Sequence, residues 1–442
     1  MPFRMPHDLA QSPVERISWR AFGTTPTAKS RLIPRLNLGS LSRWDETRRE
    51  QRQMQALNYD DLRRLAKRRL PKVAFDFIEG GVEDEDGLHR NDWAFRQVRL
   101  VPKYLVDVGT RNQSTTLFGR TYSHPFGIAP TGGAGFFRPG ADLMLAEAAR
   151  GANVPFIMSG ASTASIEELA RVAPQHGWYQ LYAARNKKIS EDMIRRAKDA
   201  GLSTLVLTVD VPVHSNRERN RRNGYSRPLR LPLKTKLEAL LHPGWCAEYF
   251  KRGQPLLSNW APYAANGKNV ETVAELVAAQ TTAPLTWDDV KRFRDLWPRS
   301  FVIKGIMHPE DARRAAALGV DGIMVSNHGA RQLDRAPSPI EVLPAIHEAV
   351  GEKVTLMLDS GVRRGADIMA AFCLGAKFVF VGRWTLYGVA AGGLPGARQA
   401  LEIMRNEVDL SMGQMGVPNL QALGSDFLMW ERPEDLQRNR RP

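Results

Sequence analysis

The chain has 442 residues, 43% apolar and 25% charged, with a formal net charge of +15. That length suits two or three ordinary domains or one large barrel with insertions, and the composition is that of a globular protein with a sizeable core. No apolar run approaches the roughly 20 residues of a membrane-spanning helix. Two distant cysteines, Cys246 and Cys373, suggest neither a disulfide framework nor a zinc site and fit a reducing compartment. The positive charge alone admits nucleic acid, anionic lipid or acidic substrates, but no nucleic-acid motif accompanies it.

In chain order, residues 1–50 read as a basic N-terminal extension, with no apolar segment of a secretory signal. Its Arg-rich, acid-poor composition also admits a transit peptide, and a solvated, poorly ordered segment fits it better. A helical segment follows within a main body over 51–430. From residue 126 short apolar strands alternate with amphipathic stretches. The strands are "PFGIAP" (125–130), "PFIMSG" (155–160), "WYQLY" (178–182), "TLVLTVD" (204–210), "FVIKG" (301–305), "GIMVSN" (322–327), "VTLMLDS" (354–360) and "FVFVGR" (378–383). Eight such units predict an α/β TIM (β/α)8 barrel. An open doubly wound sheet is the alternative, but no GxGxxG follows an early strand. About 90 residues separate Asp210 from Phe301, where one helix would suffice. The excess, rich in Pro, Arg and Trp, predicts an insertion or lid over 213–285, after strand four. A tail covers 431–442.

Barrel sites lie at the C-terminal ends of the strands. Here those ends carry Pro130, Thr131 and Gly132, then Ser159, then Gln180 and Tyr182, then Thr208 and Asp210. Lys304 ends strand five. Strand six ends in Ser326, Asn327 and His328, with Arg331 beyond. Asp359, Gly361 and Arg363 follow strand seven, and Gly382 and Arg383 follow strand eight. Any one of these reads as a cap or a solvated end. Eight together, converging on one mouth, read as a site.

The strand-seven and strand-eight ends suit phosphate, because glycines admit the anion to backbone N–H groups and Arg363 and Arg383 can grip it. Lys304 is a cation suited to a delocalised anion, and His328 can act as a base near neutral pH. Asp210 can hold the resulting imidazolium. Arg217 and Arg331 can clamp a carboxylate. The set suggests a flavin facing a small acid.

With these residues in view, the chain resembles the FMN-dependent 2-hydroxy acid dehydrogenase and oxidase family from about Leu57 to Leu428. "SNHGARQLD" is its specific active-site signature, and "LPKVAFDFIEGGVEDE", "APTG", "QLY", "LTVDVPV", "VIKGI" and "DSGVRRG" match in order. "HPGW" in the insertion is similar to the mandelate and lactate dehydrogenase branches. The resemblance implies FMN as cofactor and a small 2-hydroxy acid as substrate. It implies that Pro130, Thr131 and Gly132 face the flavin edge, that Ser159, Gln180 and Thr208 hydrogen-bond the ring, and that Lys304 sits by N1 and O2. Ser326 would lie near the ribityl chain, and Asp359, Gly361, Arg363, Gly382 and Arg383 would hold its phosphate. His328 would remove a proton while two electrons pass to flavin N5, with Asp210 as its carboxylate partner. Tyr182, Arg217 and Arg331 would bind the substrate. A homotetramer is implied as well.

One position departs from the family pattern. The second aromatic of its "YDY" is a substrate-binding tyrosine, and here "FDF" places Phe77 there. Losing a hydrogen bond to a charged group weakens small-acid binding by roughly 1.5–3 kcal/mol. A bulky or aromatic (S)-2-hydroxy acid is therefore expected. The basic stretch 217–253, with ten Lys/Arg against three Asp/Glu, reads either as a mobile lid or as a surface that docks on anionic lipid so that electrons reach a quinone. The expected setting is cytoplasmic, with the inner membrane as the surface for peripheral contact. Transfer to a quinone is preferred, with oxygen, or a different FMN-barrel substrate, as the alternatives.

Overall fold

Alternate residues of a strand point to opposite faces, so the residue two places beyond an inward apolar side chain is also inward, one pleat higher. Eight parallel strands apply this rule around a closed barrel: Phe126–Ile128, Phe156–Met158, Gly177–Leu181, Thr204–Thr208, Ser300–Ile306, Gly322–Val325, Thr355–Asp359 and Phe378–Val381. Neighbours pair in sequence order, and the eighth strand closes on the first through Val379 opposite Phe126. The expected (β/α)8 barrel is present. The computed structural model describes residues 56–225 and 231–430. The chain divides into units 1–46 and 47–442. The expected extension over 1–50 and the tail over 431–442 lie outside the described residues.

Inside the barrel, Ala129, Ile157, Trp178, Val206, Val302, Met324, Met357 and Phe380 form one apolar layer. Two residues further along each strand stand Thr131, Ser159, Gln180, Thr208, Lys304, Ser326, Asp359 and Gly382. The period of two therefore lifts these groups together to the C-terminal mouth. The other face of each strand, for example Phe156 and Met158 or Leu205 and Leu207, packs into the larger outer core under the helices. Below the layer, the hairpin Thr115–Leu117 and Arg120–Tyr122 inserts Leu117 and Tyr122. Tyr122 meets Phe378 edge-on at 5.9 Å and seals that end with carbon.

The strands are shorter than their sequence patterns at several mouths. The fourth ends at Thr208 and the eighth at Val381, so Asp210 and Arg383 lie beyond them. Arg383 opens a helix, Arg383–Met415, that kinks at Gly392 and Gly393. The fifth strand runs past Lys304 with an irregularity at Gly305. Gly305 has φ +105°, and a β-carbon there would lie 2.6 Å from Asp210 Cβ, so only glycine fits between strand and carboxylate.

Before the barrel, helices Tyr59–Arg69, Lys72–Glu79 and Asp86–Arg96 follow one another. The first is capped by the Asn58 side chain, with acids in its first turn and bases in its last, as the helix dipole favours. The expected insertion contains helices Glu218–Arg222, Leu233–Ala239, Pro243–Arg252 and Val270–Gln280. The barrel's own helix, Trp287–Leu296, then leads into strand five. Among the described residues no helix is long and apolar enough to cross a membrane.

Candidate active site

A cavity of about 480 Å³ opens at the C-terminal mouth. Of the residues singled out from sequence, Phe77, Pro130, Thr131, Gly132, Tyr182, Arg217, Lys304, His328, Arg331, Asp359, Gly361, Arg363, Gly382 and Arg383 line it. Ser159, Gln180, Thr208 and Ser326 are buried in the same inward layer of strand residues, and Asp210 stands behind His328. Every candidate is thus brought to one region.

His328 follows strand six in an unusual turn. His328, Gly329 and Ala330 have φ of 58°, 65° and 58°, three successive residues in the left-handed region. Such conformations cost free energy and persist only where the surroundings hold them. Ser326 Oγ accepts from the His328 backbone N–H at 3.0 Å, and Ser360 Oγ accepts from that of Gly329 at 2.8 Å. Arg383 donates to the Gly329 carbonyl at 3.1 Å. The turn aims the imidazole into the cavity, with Nδ1 2.8 Å from Asp210 Oδ1 and Nε2 3.4 Å from Tyr182 Oη. With Nδ1 as donor to the carboxylate, Nε2 carries the free lone pair that faces the cavity.

Burial lowers the His328 pKa below its ordinary value; Asp210 opposes this, while Lys304 and Arg217 reinforce it. The imidazole is therefore neutral at pH 7. Burial pushes the Asp210 pKa upward, but His328 and Lys304 outweigh it and the carboxyl stays ionised. Lys304 follows the same logic with opposite sign. Burial disfavours its ammonium, yet Asp359 and Asp210 leave the pKa raised. Its Nζ lies 2.8 Å from Ser326 Oγ and 3.1 Å from Asp359 Oδ2.

The arginines form a cationic wall. Arg331 lies over the Phe77 ring at 5.1 Å and donates to the Gly80 carbonyl at 2.6 Å. Arg217 Nη2 donates to Gln332 Oε1 at 2.7 Å, and its Nε contacts the Arg331 carbonyl at 3.2 Å. Burial and the nearby Arg217 and Arg383 hold the Arg331 pKa well down. A guanidinium keeps its proton regardless, so the wall concentrates positive charge at the cavity, which suits an anion. Arg383 donates to the Ile78, Gly80 and Gly329 carbonyls, and Arg363 lies over the Tyr59 ring at 4.4 Å.

An FMN-sized group can be tested against this layer. Gln180 Nε2 and Thr208 Oγ1 are buried without a hydrogen-bond partner, and so is Asp210 Oδ2. Gln180 Oε1 is already engaged by Ser159 Oγ at 3.2 Å and Gly160 N at 3.1 Å, which leaves its amide N–H groups for something else. Orphaned buried polar atoms are rare and call for a partner. A donor, a hydroxyl and an ammonium in one inward layer of the strands, in a cavity that Arg363 and Arg383 also line, fit a polar heterocycle carrying a phosphate.

Sequence reasoning missed several members of the site. Ser360, with φ 75°, bridges Asp359 Oδ1 and the Gly329 N–H. Ser215 and Gln332 hold Arg217. Tyr225 lines the cavity from the insertion, its ring 4.7 Å from that of Phe77. Ser360 was detectable in "DSG" beside a functional aspartate, whereas Tyr225 has no spacing signal.

A closed barrel with a phosphate-suited end, a buried lysine and a histidine–aspartate pair defines a flavin-binding TIM-barrel oxidoreductase. Comparison with known proteins agrees. Residues 66–430 match the model of the FMN-dependent dehydrogenase family, and the chain belongs to that family. Its cofactor is FMN. The chain is 41% identical to (S)-mandelate dehydrogenase of Pseudomonas putida over 374 residues, covering 85% of this chain and 94% of that one. It is 37% identical to an L-lactate dehydrogenase of Caulobacter vibrioides over 369 residues, 83% of this chain and 96% of the other. The crystal structure of the monotopic membrane protein (S)-mandelate dehydrogenase superposes with a TM-score of 0.82 at 40% identity, covering 86% of this chain and all of that one. A mandelate oxidase variant with (S)-mandelic acid superposes at 0.71 and 36% identity, covering 85% and 98%.

Proposed function

We propose that this FMN-dependent enzyme oxidises an (S)-2-hydroxy acid with a bulky, aromatic side chain to the 2-oxo acid and passes the electrons to a quinone. The observation that carries the reading is His328, neutral and locked on Asp210, in the same cavity as Arg217 and Arg331. A carboxylate drawn to the arginine wall brings its α-carbon and hydroxyl before Nε2, and fixing that geometry lowers the barrier by prepaid orientation. His328 takes a proton at Nε2, and Asp210 stabilises the imidazolium through the Nδ1–H bond. Tyr182 Oη, 3.4 Å from Nε2, is placed to bond the substrate oxygen beside the base.

FMN, when bound, supplies the two-electron acceptor. Gln180, Thr208, Ser159, Ser326 and Lys304 would hold its ring and ribityl chain, with Pro130, Thr131 and Gly132 along one edge. Asp359, Gly361, Arg363, Gly382 and Arg383 would hold the other end. Lys304, its pKa raised by Asp359 and Asp210 against the effect of burial, keeps a positive charge in the ring layer.

Three aromatic rings support a bulky substrate: Phe77, Phe137 and Tyr225 all line the cavity. Relatives named for mandelate point the same way. For the acceptor, the insertion exposes Leu233, Leu237, Leu240, Leu241 and Phe250, interleaved with Lys234, Lys236, Lys251 and Arg252. An apolar set rimmed by bases suits an anionic lipid surface, and one structural relative is described as a monotopic membrane protein. We further propose a homotetramer, which sedimentation equilibrium tests directly. The function itself is tested by anaerobic titration of the yellow holoenzyme with (S)-mandelate, (S)-lactate and glycolate. Bleaching by mandelate at the lowest concentration is expected, followed by rapid reoxidation with a soluble quinone and slow reoxidation with oxygen. A flavin that no 2-hydroxy acid bleaches refutes the reading.

A further inference from the structure

Phe77 presents only carbon to the cavity, directly beneath the Arg331 guanidinium. The polar group nearest that deficit comes from another part of the chain. Tyr225 packs on Phe77 at 4.7 Å and meets Phe136 edge-on at 5.9 Å, so its ring is wedged between two aromatic walls. It lines the same cavity as Arg217 and Arg331. The turn that bears it is pinned to the Phe77 helix: Asn223 Nδ2 donates to Asp76 Oδ2 at 2.7 Å, one residue before Phe77. Tyr225 N donates back to the Asn220 carbonyl at 2.9 Å, and Thr235 Oγ1 holds the Asn223 carbonyl at 3.1 Å. The backbone leading to the ring is thus held by bonds to the Phe77 helix and to Thr235.

We infer that Tyr225 is a substrate-positioning residue, and that its phenol donates a hydrogen bond to the carboxylate held by Arg331, the bond that Phe77 cannot make. The inference rests on the 2-hydroxy acid reading and adds a residue from the insertion to it. Two cations and a neutral donor then converge on one carboxylate. The donor sits on the insertion rather than on a barrel strand. Because the two rings are neighbours, a hydroxyl moved from one to the other still reaches the same part of the cavity.

The test uses the holoenzyme and three variants, Tyr225→Phe, Phe77→Tyr and the double exchange. Phenylacetate, which has no hydroxyl to oxidise, serves as a non-reacting carboxylate, its Kd read from the flavin absorbance change. (S)-Mandelate gives KM and the rate of flavin reduction. Tyr225→Phe is expected to raise the phenylacetate Kd and the mandelate KM about 10-fold or more, since a bond to a charged group is removed. The reduction rate at saturation is expected to change less. The double exchange is expected to recover most of the lost affinity, which a merely structural role for Tyr225 would not produce. Constants for Tyr225→Phe within twofold of wild type, or no recovery in the double exchange, overturn the inference. Wild-type enzyme that mandelate, lactate and glycolate all fail to reduce would overturn the functional reading first, and this inference with it. Normal reduction with an unresponsive Tyr225→Phe overturns this inference alone.

Discussion

Replacing Asp210 by Asn tests the pairing at the centre of the site. The two side chains are nearly isosteric, and Gly305 leaves no room for anything larger beside that position. Asn keeps the 2.8 Å contact to His328 Nδ1 but loses the negative charge that stabilises an imidazolium. A hydrogen bond to a charged group contributes about 1.5–3 kcal/mol, and the bond gains its full charge only as His328 takes a proton. At about 1.4 kcal/mol per tenfold, the flavin-reduction rate should fall roughly 10- to 150-fold. Phenylacetate affinity should change little, because the arginine wall is untouched. The variant should also lower the His328 pKa further, since Asp210 is the group that raises it. Stopped-flow reduction by (S)-mandelate under anaerobic conditions, with flavin content checked by absorbance, measures the effect. A rate within threefold of wild type, with full flavin occupancy, would refute the assignment of Asp210 as the partner of the base.

Wild-type kcat/KM should be flat near pH 7 and fall tenfold per unit on the acid side, below a midpoint under 6.5, because His328 must be neutral to accept a proton and burial lowers its pKa. A midpoint at or above 6.5 in the pH–rate profile contradicts that environment. Lys304→Met leaves the buried Asp359 carboxylate without its ammonium and should destabilise the apoprotein by about 3–5 kcal/mol in denaturant unfolding; a loss under 1 kcal/mol would show that Asp359 finds another partner. Triple replacement of Leu240, Leu241 and Phe250 by Asp should abolish co-sedimentation with vesicles containing phosphatidylglycerol and leave mandelate reduction unchanged. Equal soluble fractions for variant and wild type would remove the membrane-docking proposal.

The barrel and its mouth were legible because both follow from one periodicity. Trp178 and Gln180, Val206 and Thr208, or Met357 and Asp359 are pairs two residues apart, so reading the core also locates the functional layer. Limits were less visible. "TLVLTVD" continues its apolar pattern through Val209, yet the strand ends at Thr208, with one further bond from Val209 N–H to the Lys304 carbonyl at 3.0 Å, and Asp210 lies beyond it against Gly305. Backbone hydrogen-bonding decides that, and side-chain hydropathy does not report it. The roles of Gln332, Ser215 and Tyr225 were hidden for a different reason. They come from loops whose path depends on contacts with distant segments, such as Asn223 with Asp76, that leave no local period.

The wall and the floor of the cavity have different origins. Floor groups are each tied by one pleat to a buried apolar neighbour, so moving one of them means repacking the centre of the barrel. Phe77 and Tyr225 are set instead by a helix and an insertion that touch each other. The reaction chemistry is therefore conservative by construction, while the choice of acid is open to revision. A chain of this architecture can acquire a new substrate by exchanging a few side chains above the flavin layer, with the electron-accepting half left intact.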